Sequence, residues 1–138
     1  MGRVLALDIG TVRIGVAVTD PLGLFAQGIA VWQVREGWRS RFEEFLAQYR
    51  PDLILIGMPR RTDGTYGPEA ERIDKLVNEL RASYPDHSFE TWDERFTTTI
   101  AQRVLLEGDV SRRKRKERVD KIAAALILQN WLEAKAAK

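Results

Sequence analysis

The chain opens on an almost uninterrupted apolar run, Arg3-Val4-Leu5-Ala6-Leu7-Asp8-Ile9. Such a run marks a strand buried on both faces, rather than one that alternates between core and water. Asp8 is its one break. Gly10-Thr11-Val12-Arg13 makes a tight connection and residues 14–19 are apolar again, so the first two strands are expected to pair as an antiparallel hairpin. Asp20-Pro21-Leu22-Gly23 turns the chain, and residues 29–34 read as the third strand of a meander. Trp38, Phe42, Phe45, Leu46 and Tyr49 then recur at helical spacing until Pro51, which stops that helix just before a second buried strand at 53–56.

A helix followed by a strand implies a parallel crossover. Residues 57–67 are rich in breakers, and Pro68 suits the first turn of a helix that turns Ile73, Leu76, Val77 and Leu80 inward. Pro85-Asp86 ends it, residues 88–93 form a shorter fifth strand, and a third helix is expected after Thr97, Thr98 and Thr99, with Thr99 and Gln102 spaced as a capping box. The last helix is expected over about 117–135, with Ala123, Ala124, Ile127 and Trp131 on one stripe and Asp120 at its head. The fold class is therefore α/β: a mixed five-stranded sheet, three antiparallel strands then two parallel ones, flanked by helices in one domain over 1–138.

Composition narrows the chemistry. There is no cysteine and His87 is the only histidine, so neither a structural zinc site nor a Cys or His nucleophile triad can be assembled. Any metal must be held by oxygen. A chain of this length can bury a core without disulfides, and no apolar run approaches the ~20 residues of a membrane helix, so a soluble cytoplasmic protein is expected. Twenty-two Lys and Arg against twenty Asp and Glu give a formal +2, too little to make the whole chain a polyanion binder. The cations are concentrated: Arg112-Arg113-Lys114-Arg115-Lys116 stand in a row, followed by Arg118 and Lys121. That run reads either as a solvated loop or as a tract for a polyanion.

Three acids stand where an unpartnered charge is expensive. Asp8 interrupts a buried strand, Glu94 follows the end of another, and Asp120 heads the packing stripe of the last helix. Carboxylates converging without imidazole or thiolate suit Mg²⁺ or Mn²⁺. The ends of neighbouring parallel strands open onto one crevice, where such acids can meet. Each acid also has a plainer explanation. Asp8 could accept from the amides of Gly10 and Thr11, Asp120 could be a first-turn acid or pair with Arg115 or Lys121, and Asp93 rivals Glu94 because adjacent strand residues face opposite ways. Arg13, Arg60 and Arg61, on loops expected to reach the crevice, together with Arg95 and the 112–116 run, are candidate phosphate contacts.

Taken together, Leu5-Ala6-Leu7-Asp8-Ile9-Gly10-Thr11-Val12-Arg13-Ile14-Gly15-Val16-Ala17, Ile56-Gly57-Met58-Pro59, Asp63-Gly64-Thr65, Asp93-Glu94-Arg95-Phe96-Thr97-Thr98 and Val119-Asp120-Lys121-Ile122-Ala123-Ala124 resemble the YqgF family. This is the RuvX-like group of pre-16S rRNA nucleases related to Holliday-junction resolvases. The resemblance runs nearly end to end. It implies an RNase H-like fold, a cytoplasmic location and trimming of the 5′ end of the small-subunit rRNA precursor, with the family's acids on Asp8, Glu94 and Asp120. Compared with RuvC resolvases, the strand at 53–56 ends in Gly57-Met58-Pro59 without an acid, and Ala123 and Ala124 stand where a second helix acid might accompany Asp120. The expectation is a metal-dependent nuclease acting on nucleic acid, RNA ahead of structured or single-stranded DNA. A four-way-junction endonuclease, a nucleic-acid-binding module with a spent site, and a homodimer stay open. The Asp-Ile-Gly-Thr turn also resembles that of sugar kinases and actin-like ATPases, but those close two such domains on ATP and this length supplies one.

Overall fold

The apolar opening run becomes the middle of a five-stranded sheet. The computed structural model describes residues 2–59, 67–93 and 112–136, with side chains of the last segment from residue 119 onward. In chain order the elements are β1 (Val4–Ile9), β2 (Arg13–Thr19), β3 (Ala26–Gln33), a 3-10 turn (Val34–Glu36), α1 (Trp38–Tyr49), β4 (Leu53–Met58), α2 (Pro68–Ser83), β5 (Phe89–Asp93) and α3 (Arg112–Ala136). The sheet order is β3-β2-β1-β4-β5. β1 runs antiparallel to β2 and parallel to β4, and β4 runs parallel to β5, as the sequence pattern predicts.

Period-two alternation splits the central strand between two cores. Leu5, Leu7 and Ile9 join Ile14, Val16, Ile54 and Ile56 beneath the buried stripes of α1 (Trp38, Phe42, Leu46) and α2 (Ile73, Val77, Leu80). Val4, Ala6, Ala17 and Leu55 face the other way, onto Ala124, Ile127, Leu128 and Trp131 of α3. The helices thus sandwich the sheet, and both faces of β1 are dry.

Three expectations are corrected. The basic run Arg112-Arg113-Lys114-Arg115-Lys116 is not a loop: α3 begins at Arg112 rather than near 117. Arg and Lys are good helix formers and no Gly or Pro stands between Arg112 and Asp120, so the helix propagates back through residues that carry no apolar stripe to announce it. Arg13 likewise is no loop residue, because it opens β2, where it pairs with Gln33 of β3. β3 itself starts at Ala26, earlier than its apolar stretch, paired to Thr19. The turn before it is organised by Asp20, whose carboxylate accepts the backbone N–H of Leu22, Leu24 and Phe25. Those bonds, Phe25 first, hold its carboxyl below the usual range. The helix expected after Thr97 to Thr99, with its Thr99–Gln102 cap, lies outside the described residues.

α3 lies unusually low over β2 and β3 because glycines leave room for it. A Cβ at Gly15 would overlap the carbonyl group of Asp120, and one at Gly28 would sit 2.9 Å from the carbonyl oxygen of Lys121. A helix backbone can reach a sheet this closely only where the sheet has no side chain.

Gly15→Ala is expected to cost roughly 1–3 kcal/mol by overpacking and to exceed Gly28→Ala, which urea unfolding of the two variants will rank. Thr19 provides a second test. Fully buried, its hydroxyl accepts the N–H of Val4 at 2.9 Å. Thr19→Val keeps the shape but orphans that donor, so the urea midpoint should fall by the equivalent of about 1–3 kcal/mol with the slope unchanged.

Candidate functional site

Alternation along β1 puts Asp8 on the same face as Val4 and Ala6, the face covered by α3. Its partner across the antiparallel ladder is Gly15. Gly15 is also where the backbone of Asp120 rests. Asp8 and Asp120, far apart in sequence, therefore share one layer between sheet and helix, separated by a residue with no side chain. Asp8 is the penultimate residue of β1, so this layer lies at the end of the sheet where the parallel strands β1, β4 and β5 finish.

Arg13 completes the layer. Two residues before Gly15 on β2, it faces the same way, and its Nε donates to Oδ2 of Asp120 at 2.6 Å. Both side chains are mostly shielded, 27% and 20% exposed, so this charge-assisted bond operates with little competing water. The ion pair thus reaches Asp120 from across the sheet, while the side chain of Arg115, the helix neighbour offered by the sequence, lies outside the described residues. Nor is Asp120 a first-turn acid, since α3 begins at Arg112. The N–H of Gly10, offered by sequence as a donor to Asp8, closes the hairpin on the carbonyl of Arg13 at 2.9 Å.

On β5 the two faces separate the rival acids. Glu90 meets Lys135 of α3 at 3.8 Å and Trp92 packs with the α3 core, whereas Phe89 belongs to the opposite core and Thr91 lines a cavity with Met58 and α2. Asp93 has the parity of Phe89 and Thr91, which sets it on the α2 face, away from Asp8. Beside Trp92 on the α3 face, β4 offers only Gly57, so the end of that strand brings no acid there. Glu94, Arg60, Arg61 and Arg95 lie outside the described residues, as do the side chains of Arg112, Arg113, Lys114, Arg115 and Lys116. Among the described residues no three His, Cys, Asp or Glu side chains gather as a metal cluster. No helix among them is long and apolar enough to cross a membrane.

Two contributors escaped the sequence reading. Gly15 and Gly28 are the seats of α3, and the signal was available: a glycine inside an apolar strand, as in Ile14-Gly15-Val16, marks close backbone approach. The other is Arg72 of α2, whose guanidinium donates to the carbonyl of Ile9, next to Asp8, at 3.2 Å. Nothing in the helical periodicity distinguishes it from a solvated arginine.

Curated relatives align over nearly the whole chain. A Clostridium perfringens protein is 45% identical over 134 residues, covering 95% of this chain and 96% of its own length. A Halalkalibacterium halodurans protein is 43% identical over 135 residues, with 95% and 96% covered. Both carry the name "Putative pre-16S rRNA nuclease". Among solved structures, Thermus thermophilus RuvC with a Holliday junction substrate matches at TM-score 0.60 and 15% identity over 100% of this chain and 98% of that one. Fowlpox virus resolvase with Holliday junction DNA matches at 0.58 and 13%, over 96% and 98%. At these identities they establish the RNase H-like fold. The family model described as "RuvX: Holliday junction resolvase" matches residues 2–134, and this chain belongs to that family.

Proposed function

We propose that this chain is a divalent-metal-dependent nuclease that hydrolyses phosphodiester bonds in RNA, processing the 5′ end of pre-16S rRNA as the name of its relatives indicates. The observation that carries the proposal is that Gly15 is both the ladder partner of Asp8 and the seat of the Asp120 backbone. Two carboxylates in one shielded layer, with no thiolate in the chain, are a donor set suited to a hard cation. Glu94 is the third ligand proposed, since Asp93 occupies the opposite face of β5. Mg²⁺ or Mn²⁺, when bound, supplies Lewis acidity that eases deprotonation of the attacking water and offsets charge on the departing oxygen.

The protein's own part is positional. Asp8 sits on the central, largely buried strand β1 and Asp120 on a helix seated on two glycines, so both carboxylates are carried by fixed backbone. Arg13 compensates the charge of Asp120 and holds its orientation. A guanidinium carries five donors, so bonding Asp120 through Nε is compatible with the terminal nitrogens reaching a substrate phosphate. Water adds to phosphorus, the P–O bond to the leaving strand breaks, and the products are a phosphomonoester and a free hydroxyl.

A second reading has its own support: the family model is described as a Holliday junction resolvase. That activity requires two symmetric nicks and hence two copies of the site, whereas rRNA trimming requires one.

The deciding experiment is cleavage of labelled RNA, single-stranded DNA and a four-way junction with Mg²⁺ or Mn²⁺. Wild type should cut RNA, and Asp8→Asn should bring cleavage below detection while binding RNA within about twofold of wild type; full activity in that variant would remove the proposed site. Paired nicks in the junction with RNA left intact would favour the resolvase reading. Replacing Arg112, Arg113, Lys114, Arg115 and Lys116 with glutamine should weaken RNA binding and flatten its salt dependence by about 0.7 per lost phosphate contact. An unchanged salt slope would reduce that tract to a solvated stretch of helix.

A further inference from the structure

On the other face of the sheet, at the same end as Asp8, lies a cavity of about 290 Å³ bounded by Gly10 and Thr11 of the β1–β2 turn and by Arg72 and Lys75 of α2. Its apolar floor comes from Ile9, Val34, Trp38 and Leu76. Arg72 is half-buried and is oriented by its bond to the Ile9 carbonyl, while Lys75, one turn along, is exposed at the mouth. Glu79 is the acid in the lining, and it already faces the guanidinium of Arg39 at 4.0 Å. The balance of the cavity is therefore cationic.

We infer that Arg72 and Lys75 form a phosphate subsite that holds the nucleic-acid backbone one or more nucleotides away from the bond at Asp8. The inference rests on the nuclease reading and extends it to a residue pair outside the carboxylate layer. Ile9 and Asp8 are adjacent and point to opposite faces, so a strand lying across the end of β1 meets Arg13 and the carboxylates on the α3 side and Arg72 with Lys75 on the α2 side. A fixed guanidinium can engage phosphate oxygens in a fork, and a mobile ammonium beside it adds a point charge. Neither contact reads a base, so recognition is of the sugar-phosphate chain and is independent of sequence. The tether of Arg72 to the Ile9 carbonyl also couples the subsite mechanically to the strand that carries Asp8.

The test is fluorescence anisotropy of labelled single-stranded RNA and single-stranded DNA of equal length, in EDTA so that nothing is cut, across a salt series. Lys75 is exposed, so Lys75→Ala should fold normally. It should weaken binding of both nucleic acids by roughly fivefold at low salt and reduce the log–log salt slope by about 0.7. Arg72→Ala should do the same, with thermal melting recorded because it also loses the Ile9 bond. An unchanged affinity and slope in Lys75→Ala overturns the subsite, and a loss confined to RNA overturns phosphate recognition. Cleavage by the wild type in a parallel Mn²⁺ assay separates the two readings. If it cuts while Lys75→Ala binds normally, only the subsite fails; if it neither binds nor cuts, the nuclease reading fails and takes the subsite with it.

Discussion

The site depends on how closely one helix backbone approaches the sheet. α3 carries Asp120, and its height above β2 is set at Gly15 and Gly28, where no side chain intervenes. Because Gly15 is also the ladder partner of Asp8, the same absence of a Cβ lets the backbone that carries Asp120 settle directly beside the strand position opposite Asp8. Had a valine stood at 15, as it does at the neighbouring position 16, the helix would ride higher and the layer would close over apolar side chains. Small residues on the helix continue the effect: Ala123 and Ala124 are fully buried where larger residues would hold the surfaces apart.

The two faces of the sheet have correspondingly different chemistry. Under α1 and α2 the packing is aromatic and bulky, with Trp32 stacked on Trp38 at 6.4 Å and Phe42 edge-on to Tyr84. Large rigid rings bury much area in few rotamers and fix the strands they cover. The α3 face, by contrast, combines alanine, glycine and an ion pair near its functional end with Trp131 and Leu132 farther along. The stiff side supports the side on which charges must sit. Arg13 makes that arrangement tolerable, since a half-buried carboxylate without a counter-charge would otherwise be costly.

Much of this was readable before any coordinates. The antiparallel hairpin, the parallel crossover and the inward stripes of the helices follow from apolar runs between breakers and from period-3.6 spacing, and Asp8 announced itself by interrupting an apolar run. What was not readable is informative about why. The charged start of α3 has no apolar periodicity, so its helicity rests on propensity alone. The partner of Asp120 lies 107 residues away in sequence, and nothing local distinguishes Arg13 from a loop cation. The choice between Asp93 and Glu94 turned on the phase of a five-residue strand, which only its register against β4 and its neighbours in the two cores could establish for Asp93.

The early start of α3 has a mechanical corollary. Arg112 and Asp120 stand on one continuous helix, eight residues apart, a backbone separation of about 12 Å at 1.5 Å per residue. A loop of the same length could stretch or fold back, but a helix cannot without breaking its own hydrogen bonds. Any polyanion gripped by the first turn is thereby kept at a set remove from the carboxylate, some three to four steps of a duplex at ~3.4 Å each. Were the tract to bind the polyanion as proposed, it would act as a ruler, not as a tether.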